Sequence, residues 1–323
     1  MNEFDADEGW EDDNPVPRYG LPVARVLADT DQSFTDDYVR GAPLYGDHVF
    51  RCTRRADGAD CVVKIFQRPV WPVGHAPAMG ERERTRAARE LDIMRALAQP
   101  GVPVLFARLE AAYITQGVIS MVMPAYASDL HRLYATPRRL QQGFTNEEVR
   151  TVATRVLSAL AYLHDTLHVV HRDVKPLNIF LARADDLTTV VLGDVGHSRS
   201  LATNERASTT GTSLGTEQLR PPECDFLRPH GRPVDIYQLG ASLYVLILCC
   251  GPFKVASPDR VFATRALFHG DALAQWNSAA AAGGKVGAAR AACVRRMMDV
   301  SPDNRKTAAE NLEDPWVADT VHA

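Results

Sequence analysis

The hydrophobic pattern in the first part of the chain predicts five short strands and one helix. Apolar residues alternate with polar ones, or form short apolar runs, in five segments that predict the strands of an antiparallel sheet. These strand segments are residues 38–41, 49–52, 61–66, 102–109 and 112–123. Between the third and fourth, residues 79–98 have apolar side chains near helical spacing and predict a helix.

The rest of the chain is mainly helical in pattern. Residues 145–168 predict a long helix with Thr145 as its cap, and residues 232–250 are apolar nearly all round, which predicts a buried helix. A hairpin is predicted from residues 179–181 and 190–192. The Ala- and Gly-rich stretch 279–287 is predicted to be a loop insertion. The order of elements indicates an α+β protein.

Composition narrows the class of protein. The 323 residues suffice for one large or two small domains, and the hydrophobic and charged fractions of 46% and 24% are ordinary for a globular protein. The formal net charge of −4 gives no reason to expect nucleic acid or a membrane as a partner. The longest apolar run, residues 241–250, is about half of what a bilayer requires, so no membrane span is predicted.

Two further features concern the compartment. The six cysteines show no Cys-x-x-Cys spacing and are predicted to be small core residues in a reducing compartment, the cytoplasm or the nucleus. Residues 1–31 begin with seven acids and read as a disordered tail, neither a secretory nor a mitochondrial signal. A solvated tail is favoured over a docking arm.

The candidate chemistry is concentrated in residues 171–178, His-Arg-Asp-Val-Lys-Pro-Leu-Asn, and in Asp194-Val195-Gly196. Asp173 and Lys175 stand two residues apart, so in an extended loop both side chains can face one side. Asn178 and Asp194 offer oxygen ligands for Mg²⁺. A carboxylate that orients a hydroxyl, a cation for a phosphate and two metal ligands are what phosphoryl transfer requires. A surface loop that carries His-Arg-Asp by chance is the alternative.

These residues resemble two motifs of the protein kinase family. Residues 171–178 are similar to the catalytic loop, and Asp194-Val195-Gly196 is similar to the Asp-Phe-Gly motif. Lys175 matches the pattern of serine/threonine kinases. The resemblance covers about residues 38–316. It implies a bilobal fold with ATP and Mg²⁺ in the cleft, in which Asp173 and Lys175 are catalytic and Asn178 and Asp194 hold the metal.

The resemblance also assigns residues in the predicted sheet. Lys64 lies in Val-Val-Lys, similar to the strand whose lysine holds the nucleotide phosphates, and Glu90 is its predicted partner, with Glu81 and Glu83 as competitors. The turn 41–49 stands where the family has its glycine-rich phosphate loop. It departs from the pattern because Pro43 replaces the middle glycine and Val49 comes one residue late.

Residues 124–128 resemble the hinge between the lobes. Aligned with it, Met123 is the gatekeeper, Pro124 supplies a carbonyl, and Tyr126 supplies N–H and C=O groups to adenine. The predicted nucleotide contacts are Lys64, Glu90, Gly41, Gly46, Val49, Val62, Met123, Pro124, Tyr126 and Phe180. The sequence of residues 123–130 also resembles that of large-DNA-virus kinases, notably the alphaherpesvirus Ser/Thr kinases.

Residues 197–222 resemble a mobile activation loop. Thr212 stands where many kinases carry the activating phosphate, with Thr209, Thr210 and Ser213 as alternatives, and Arg172 is the cation that would receive it. The resemblance further implies hydrogen bonds from Thr216 near the catalytic loop, and an ion pair between Glu223 and Arg305.

The predicted organisation is an acidic tail at 1–31, an N-lobe at 32–123, a hinge at 124–128, a C-lobe at 129–318 and a short tail at 319–323. The predicted function is transfer of the ATP γ-phosphate to Ser or Thr hydroxyls of protein substrates. One rival is a nucleotide-binding pseudokinase scaffold, motivated by the altered glycine loop and Val195. The other is a small-molecule phosphotransferase. The sequence carries no indication of the oligomeric state.

Overall fold

The computed structural model describes residues 33–66, 78–115, 118–201, 219–225, 231–248 and 270–319; side chains of residues 78–85 are not among the described parts. These residues form two lobes, one built on a sheet and one mainly helical. The predicted bilobal α+β architecture is confirmed. Among the described residues, no helix is both long enough and apolar enough to cross a membrane.

The smaller lobe contains five antiparallel strands in the spatial order β1-β2-β3-β5-β4. Their bounds are β1 Tyr38–Tyr45, β2 Val49–Arg54, β3 Asp60–Phe66, β4 Ala111–Thr115 and β5 Val118–Pro124. Burial alternates along β3, which places Cys61, Val63 and Ile65 on one face of the sheet and Lys64 on the other.

Each face of this sheet has its own cover. Helix α1, Phe34–Asp37, brings Phe34 against Tyr38 and Tyr113 in an aromatic cluster on the outer face. Helix α2, Ala78–Leu97, packs Ala87 and Leu91 against residues of β4 and β5 on the inner face. The side of the sheet that carries Lys64 therefore faces α2.

Two strand predictions were wrong. Residues 102–109 form no β-strand: Pro103 lacks an N–H, and the segment bonds to the other lobe, with Ala107 N donating to Leu192 O at 2.9 Å and Leu192 N donating to Leu105 O at 2.8 Å. Residues 112–123 are two antiparallel strands, β4 and β5, since Tyr113 pairs with Ser120 and Ile114 with Ile119 inside the predicted segment.

The larger lobe is built from eight helices in the described ranges. They are α3 Leu130–Tyr134, α4 Pro137–Gln142, α5 Asn146–Ala161, α6 Pro222–Asp225, α7 Pro233–Leu248, α8 Gly270–Ala282 and α9 Gly284–Met297, with a short α10, Ala308–Leu312, after them as an eighth. Helices α5 and α7 supply much of one large apolar core.

The predicted cap is confirmed, since Thr145 and Glu148 form a reciprocal capping box. The helix does not continue to His168 as an α-helix: Tyr162–Thr166 is a π-turn.

Short strands surround the candidate chemistry. Strand β6, Ser128–Asp129, pairs with β8, Ile179–Leu181, which pairs with β9, Val190–Leu192. This confirms the predicted hairpin. Strand β7, Val169–Val170, pairs with β10, Arg199–Ser200, so the start of the predicted activation loop is an ordered strand.

The prediction of a loop at 279–287 was wrong. Alanine is the best helix former, and helices α8 and α9 occupy this stretch with a break at Gly283-Gly284. Gly284 has a φ of +59°, which the reversal between the helices requires. The two helices approach closely, since a Cβ on Gly287 would lie 2.7 Å from the Ala280 carbonyl oxygen.

Several predictions fall outside the described residues. These are the acidic tail, the central part of the predicted activation loop with Thr209, Thr210, Thr212, Ser213 and Thr216, the side chains of Glu81 and Glu83, and the end of the buried helix at Cys249 and Cys250. The cysteines in the described ranges, Cys52, Cys61, Cys224 and Cys293, are buried, and none of these four forms a disulfide.

Candidate active site

A buried ion pair links the sheet to helix α2. Lys64 Nζ on β3 lies 2.6 Å from Glu90 Oε1, as the sequence predicted, and its side chain is only 12% exposed. An ammonium in this position would lose its hydration without compensation if it had no partner. Burial alone would lower the pKa of Lys64, but the carboxylates of Glu90 and Asp194 outweigh that effect and raise it. Lys64 is therefore a permanent cation.

Lys64 also contacts the turn that follows β9. Its Nζ lies 3.0 Å from Asp194 Oδ1, so one ammonium joins a strand, a helix and this turn. Burial would raise the pKa of Asp194, but the Lys64 charge dominates and holds it below its ordinary value. Asp194 is thus ionised, with a side chain about a third exposed at 36%.

The turn itself is tightly built. Asp194 has a φ of 56°, in the left-handed region that residues other than glycine rarely adopt. Gly196 follows where a side chain has no room: a Cβ there would lie 2.7 Å from Glu90 Oε2 and 3.2 Å from Lys64 Nζ. Glycine at 196 is therefore what lets the turn approach the Lys64–Glu90 pair.

The second part of the site is the loop between β7 and β8. Asp173 Oδ2 accepts a hydrogen bond from Asn178 Nδ2 at 2.9 Å and lies 2.8 Å from Lys175 Nζ. Asn178 Nδ2 also donates to the Asp173 carbonyl at 2.8 Å. Asp173 Oδ1 is buried and has no hydrogen-bond partner among the described residues. One oxygen is thus held by two neighbours, while the other is a buried acceptor with no partner among the described residues.

Helix α7 holds the backbone of this loop. Asp235 is fully buried and accepts hydrogen bonds from His171 N at 2.8 Å and Arg172 N at 2.6 Å, while His164 Nε2 lies 2.8 Å from the same carboxylate. One turn later, Gln238 bonds the next two backbone groups, Val174 N at 3.0 Å and Arg172 O at 3.1 Å. The loop's shape is imposed by these two side chains.

Hydrogen bonds to Gly193 connect the two parts of the site. Its carbonyl lies 3.0 Å from His171 Nε2, and its N–H donates to the Asn178 carbonyl at 2.9 Å. Asp194, the next residue, is therefore fixed beside the loop that carries Asp173. The side chains of Lys64, Glu90, Asp173, Asn178 and Asp194, which come from four separate segments, converge on one region between the lobes.

Three of the predicted nucleotide contacts lie on the face of the sheet that carries Lys64. Val62 and Met123 are register partners on β3 and β5, and Val49 on β2 is the register partner of Lys64. They share the Lys64 face of the sheet, because residues opposite each other in a ladder project to the same side. Phe180 and Tyr126 stack with ring centroids 5.4 Å apart. Pro124 ends β5, and the Tyr126 hydroxyl accepts a hydrogen bond from Arg108 N at 3.2 Å.

The predicted phosphate loop departs from expectation. Strand β1 continues to Tyr45, with register irregularities on either side of Pro43, so the turn is limited to residues 46–48. Gly41 lies inside the strand, and Gly46 begins the turn with a φ of +56°. The prediction of a turn over residues 41–49 was therefore wrong, because the strand pairs through its proline with a bulge.

The predicted ion pair between Glu223 and Arg305 is confirmed. The guanidinium bonds both carboxylate oxygens at 2.6 and 2.9 Å, and it also lies over the Tyr237 ring at 4.8 Å. This pair anchors α6 to the segment before α10.

Some contacts at the site were not predicted. Arg86, one turn before Glu90, donates to the Gly196 carbonyl at 2.9 Å and lies 3.2 Å from His197 Nε2. Gln238 accepts a hydrogen bond from Val174 N in the loop, and His164 contacts Asp235, which binds the loop backbone. The sequence signal for Arg86 was its spacing of four residues from Glu90, which puts both side chains on one face of a helix.

Comparison with known proteins gives a consistent result. The family model described as protein kinase domain matches residues 45–317. Calcium/calmodulin-dependent protein kinase type 1 of Caenorhabditis briggsae is 25% identical over 231 residues, 71% of this chain and 59% of that protein. Kinase cmkB of Emericella nidulans, also calcium/calmodulin-dependent by name, is 31% identical over 164 residues, 50% of this chain and 38% of that protein.

A third relative is much longer than the chain. Serine/threonine-protein kinase 36 of Mus musculus is 29% identical over 196 residues, 60% of this chain but 14% of that protein. The similarity to these relatives thus extends over less than two thirds of their length.

Proposed function

The chain belongs to the protein kinase domain family, and from that premise we propose that it transfers the γ-phosphate of ATP to serine and threonine hydroxyls of protein substrates. The observation that supports this best is the convergence of the Lys64–Glu90–Asp194 chain of ionic contacts with the Asp173–Lys175–Asn178 cluster. Lys175, two residues after Asp173, and the names of the relatives favour serine and threonine over tyrosine.

In this proposal the hydroxyl substrate is activated at Asp173. The Oδ1 atom, which has no hydrogen-bond partner among the described residues, accepts the hydroxyl proton while Oδ2 stays bonded to Lys175 and Asn178. A bond forms between the hydroxyl oxygen and the γ-phosphorus, and the bond from that phosphorus to the β-phosphate oxygen breaks. Lys175 neutralises charge on the transferring group, and Lys64, fixed by Glu90, holds the remaining phosphates.

The residues present suit a magnesium ion. Asp194 is an ionised carboxylate, and Asn178 has its amide nitrogen engaged by Asp173, which leaves its oxygen as a ligand. Hard oxygen ligands are those that Mg²⁺ prefers, and one or two protein ligands plus phosphates are its usual set. When bound with ATP, the metal supplies charge neutralisation on the phosphates.

The test is a phosphate-transfer assay with the purified full chain. We expect label from γ-phosphate-labelled ATP to appear on a peptide mixture containing Ser or Thr, and much less on matched peptides with Tyr. Lys64→Met, which keeps the aliphatic volume and removes the charge, is the inactive control. Labelling of the Tyr peptides alone, or equal labelling by Lys64→Met, would contradict the proposal.

A second candidate is a nucleotide-binding scaffold with weak turnover. Pro43 removes an N–H from the strand that would cover the phosphates, and this observation supports it. Binding of a fluorescent ATP analogue by the wild-type chain, lost in Lys64→Met, combined with no transfer to any peptide, would favour this candidate over the first.

We also propose that a phosphate on the segment after β10 regulates the site. Arg172 is 4% exposed, and burial together with the charges of Arg199 and Arg89 lowers its pKa to about 10. The charges of Arg199 and Arg89 act on Arg172, and a group of neighbouring arginines suits a phosphate. The proposed acceptor is Thr212, with Thr209, Thr210 and Ser213 as alternatives. Mapping of phosphorylated sites by mass spectrometry after incubation with ATP, followed by phosphatase treatment and re-assay, tests this directly.

A further inference from the structure

Helix α2 contacts the Asp194 turn at two successive helical turns. Glu90 reaches it through Lys64, which lies 3.0 Å from Asp194 Oδ1. Arg86, four residues earlier, reaches it directly: Nε donates to the Gly196 carbonyl at 2.9 Å, and Nη2 lies 3.2 Å from His197 Nε2. The first contact holds the beginning of the turn and the second holds its end.

The turn requires such support from outside. Asp194 is held at a positive φ, which costs a non-glycine residue conformational free energy. Val195 is buried at 2% exposure and anchors the turn in the core, but a valine side chain buries less apolar area than the phenylalanine found in the Asp-Phe-Gly motif. The polar contacts of Arg86 lie beside this smaller anchor.

We propose that Arg86 is a positioning residue that holds the Asp194-Val195-Gly196 turn against α2, and that it compensates for the small side chain at Val195. Its effect on phosphate transfer rests on the proposed function. Its effect on the turn does not. Arg86 touches the backbone and a neighbouring ring, not the reacting groups, so it acts through Asp194.

The state of His197 agrees with this role. Burial and the Arg86 charge lower the pKa of His197, against the charges of Asp173 and Asp194, and Lys175 acts in the same direction as Arg86. A neutral imidazole nitrogen can accept the guanidinium hydrogen. The contact is thus a second hydrogen bond rather than a repulsion between cations.

The first experiment measures the turn itself by amide hydrogen exchange in the full chain. Arg86→Ala is compared with wild type and with Arg95→Ala, which removes a guanidinium from the same helix beside Asp92. We expect exchange in peptides covering residues 194–198 to accelerate about fivefold in Arg86→Ala, the scale for loss of one exposed charge-assisted hydrogen bond. Arg95→Ala should leave these peptides unchanged.

The second experiment measures kinetics with saturating peptide substrate. Arg86→Ala should lower kcat about five- to tenfold and change the KM for ATP less than twofold, because Lys64 and Glu90 still hold the phosphates. Arg86→Lys, which can serve one acceptor, should recover part of the loss. In the Arg86→Ala background, Val195→Phe should restore kcat at least twofold if a larger anchor replaces the missing contact.

The outcomes separate this inference from the proposed function. Unchanged exchange at residues 194–198 in Arg86→Ala, or an equal acceleration in Arg95→Ala, overturns it whatever the activity. An accelerated turn with unchanged kcat overturns the positioning role in transfer. If the wild-type chain transfers no phosphate at all, the proposed function fails, and exchange alone decides whether Arg86 holds the turn.

Discussion

The loop between β7 and β8 and the β1–β2 hairpin border the same candidate site but are held in opposite ways. In the loop, Asp173 is 2% exposed, and Asp235 and Gln238 bind the surrounding backbone groups from below. In the hairpin, Tyr45 near the tip is 74% exposed, and pairing is irregular around Pro43. Rigidity is therefore concentrated where a proton and a phosphoryl group would move. The cover over the phosphates has little support of its own.

The largest effect is expected from removing the carboxylate of Asp173. Asp173→Ala should lower kcat by about 10²–10³-fold, the scale for loss of one preorganised catalytic group. Steady-state transfer to a Ser peptide measures it. Asp173→Asn keeps the size and the hydrogen bond to Lys175, and it should be similarly impaired because it cannot take the proton. Near-wild-type transfer by either variant would refute the assignment of Asp173.

The next largest effect concerns what holds the loop. Asp235→Ala leaves two buried N–H groups and His164 without their acceptor, so we expect the free energy of unfolding to fall by about 3 kcal/mol. Urea denaturation measures this loss. Ser242→Ala is the control: among the described residues, this buried hydroxyl on the same helix bonds only to Gln238 O, and its loss should cost less than about 1 kcal/mol. Equal losses would show that the loop does not depend on Asp235.

A smaller effect distinguishes the helix of the other lobe. Burial raises the pKa of Asp92 on α2 to about 6, with Arg95 opposing. The folded state then binds this proton more tightly than the unfolded chain, so the stability contribution is complete below about pH 4 and is lost as the pH rises to 6. Because Asp92 is only half-buried, Asp92→Asn should stabilise the protein by about 1–2 kcal/mol at pH 7.5.

Thermal or urea unfolding of wild type and Asp92→Asn at pH 5 and pH 7.5 provides the measurement. The advantage of the variant should be smaller at pH 5, where part of the wild-type population is already protonated. An advantage that does not change with pH would mean that burial is not what shifts this carboxyl.

The smallest expected effect concerns the weakly supported β1–β2 hairpin. Pro43→Ala restores an N–H without the flexibility of glycine, and we expect the KM for ATP to fall about two- to threefold with kcat unchanged. Pro43→Gly restores the same N–H but also makes the backbone more flexible, so this variant should bind ATP no better than Pro43→Ala. A large rise in kcat for either variant would mean that the hairpin limits the chemical step, and this would contradict its description as only a cover over the phosphates.

Local spacing was the part of the site that the sequence could predict. Asp173, Lys175 and Asn178 lie within six residues, so their proximity depends on one loop. Lys64 and Glu90 are 26 residues apart, and their pairing was predicted because a lysine in an apolar strand requires a partner and because the segments resemble a known family. The five strands were correct in number but not in identity.

Tertiary contacts explain what sequence patterns missed. The 102–109 segment is apolar enough for a strand, yet its backbone bonds to β9 in the other lobe. The Ala/Gly-rich stretch became two helices because their close packing favours small residues over the flexibility that glycine suggested. The four-residue spacing between Arg86 and Glu90 indicates a shared helix face, but the contact of Arg86 with Gly196 also depends on where α2 docks, which the sequence pattern does not encode.

The backbone bonds of Leu105 and Ala107 with Leu192 have a mechanical consequence. The chain crosses between lobes at residues 125–127, and this second attachment lies close by, because Arg108 N bonds the Tyr126 hydroxyl there. Two attachments along one edge resist sliding of the lobes past each other. A movement that preserves both attachments is a hinge rotation about that edge, so the cleft between the lobes would open and close on the opposite side.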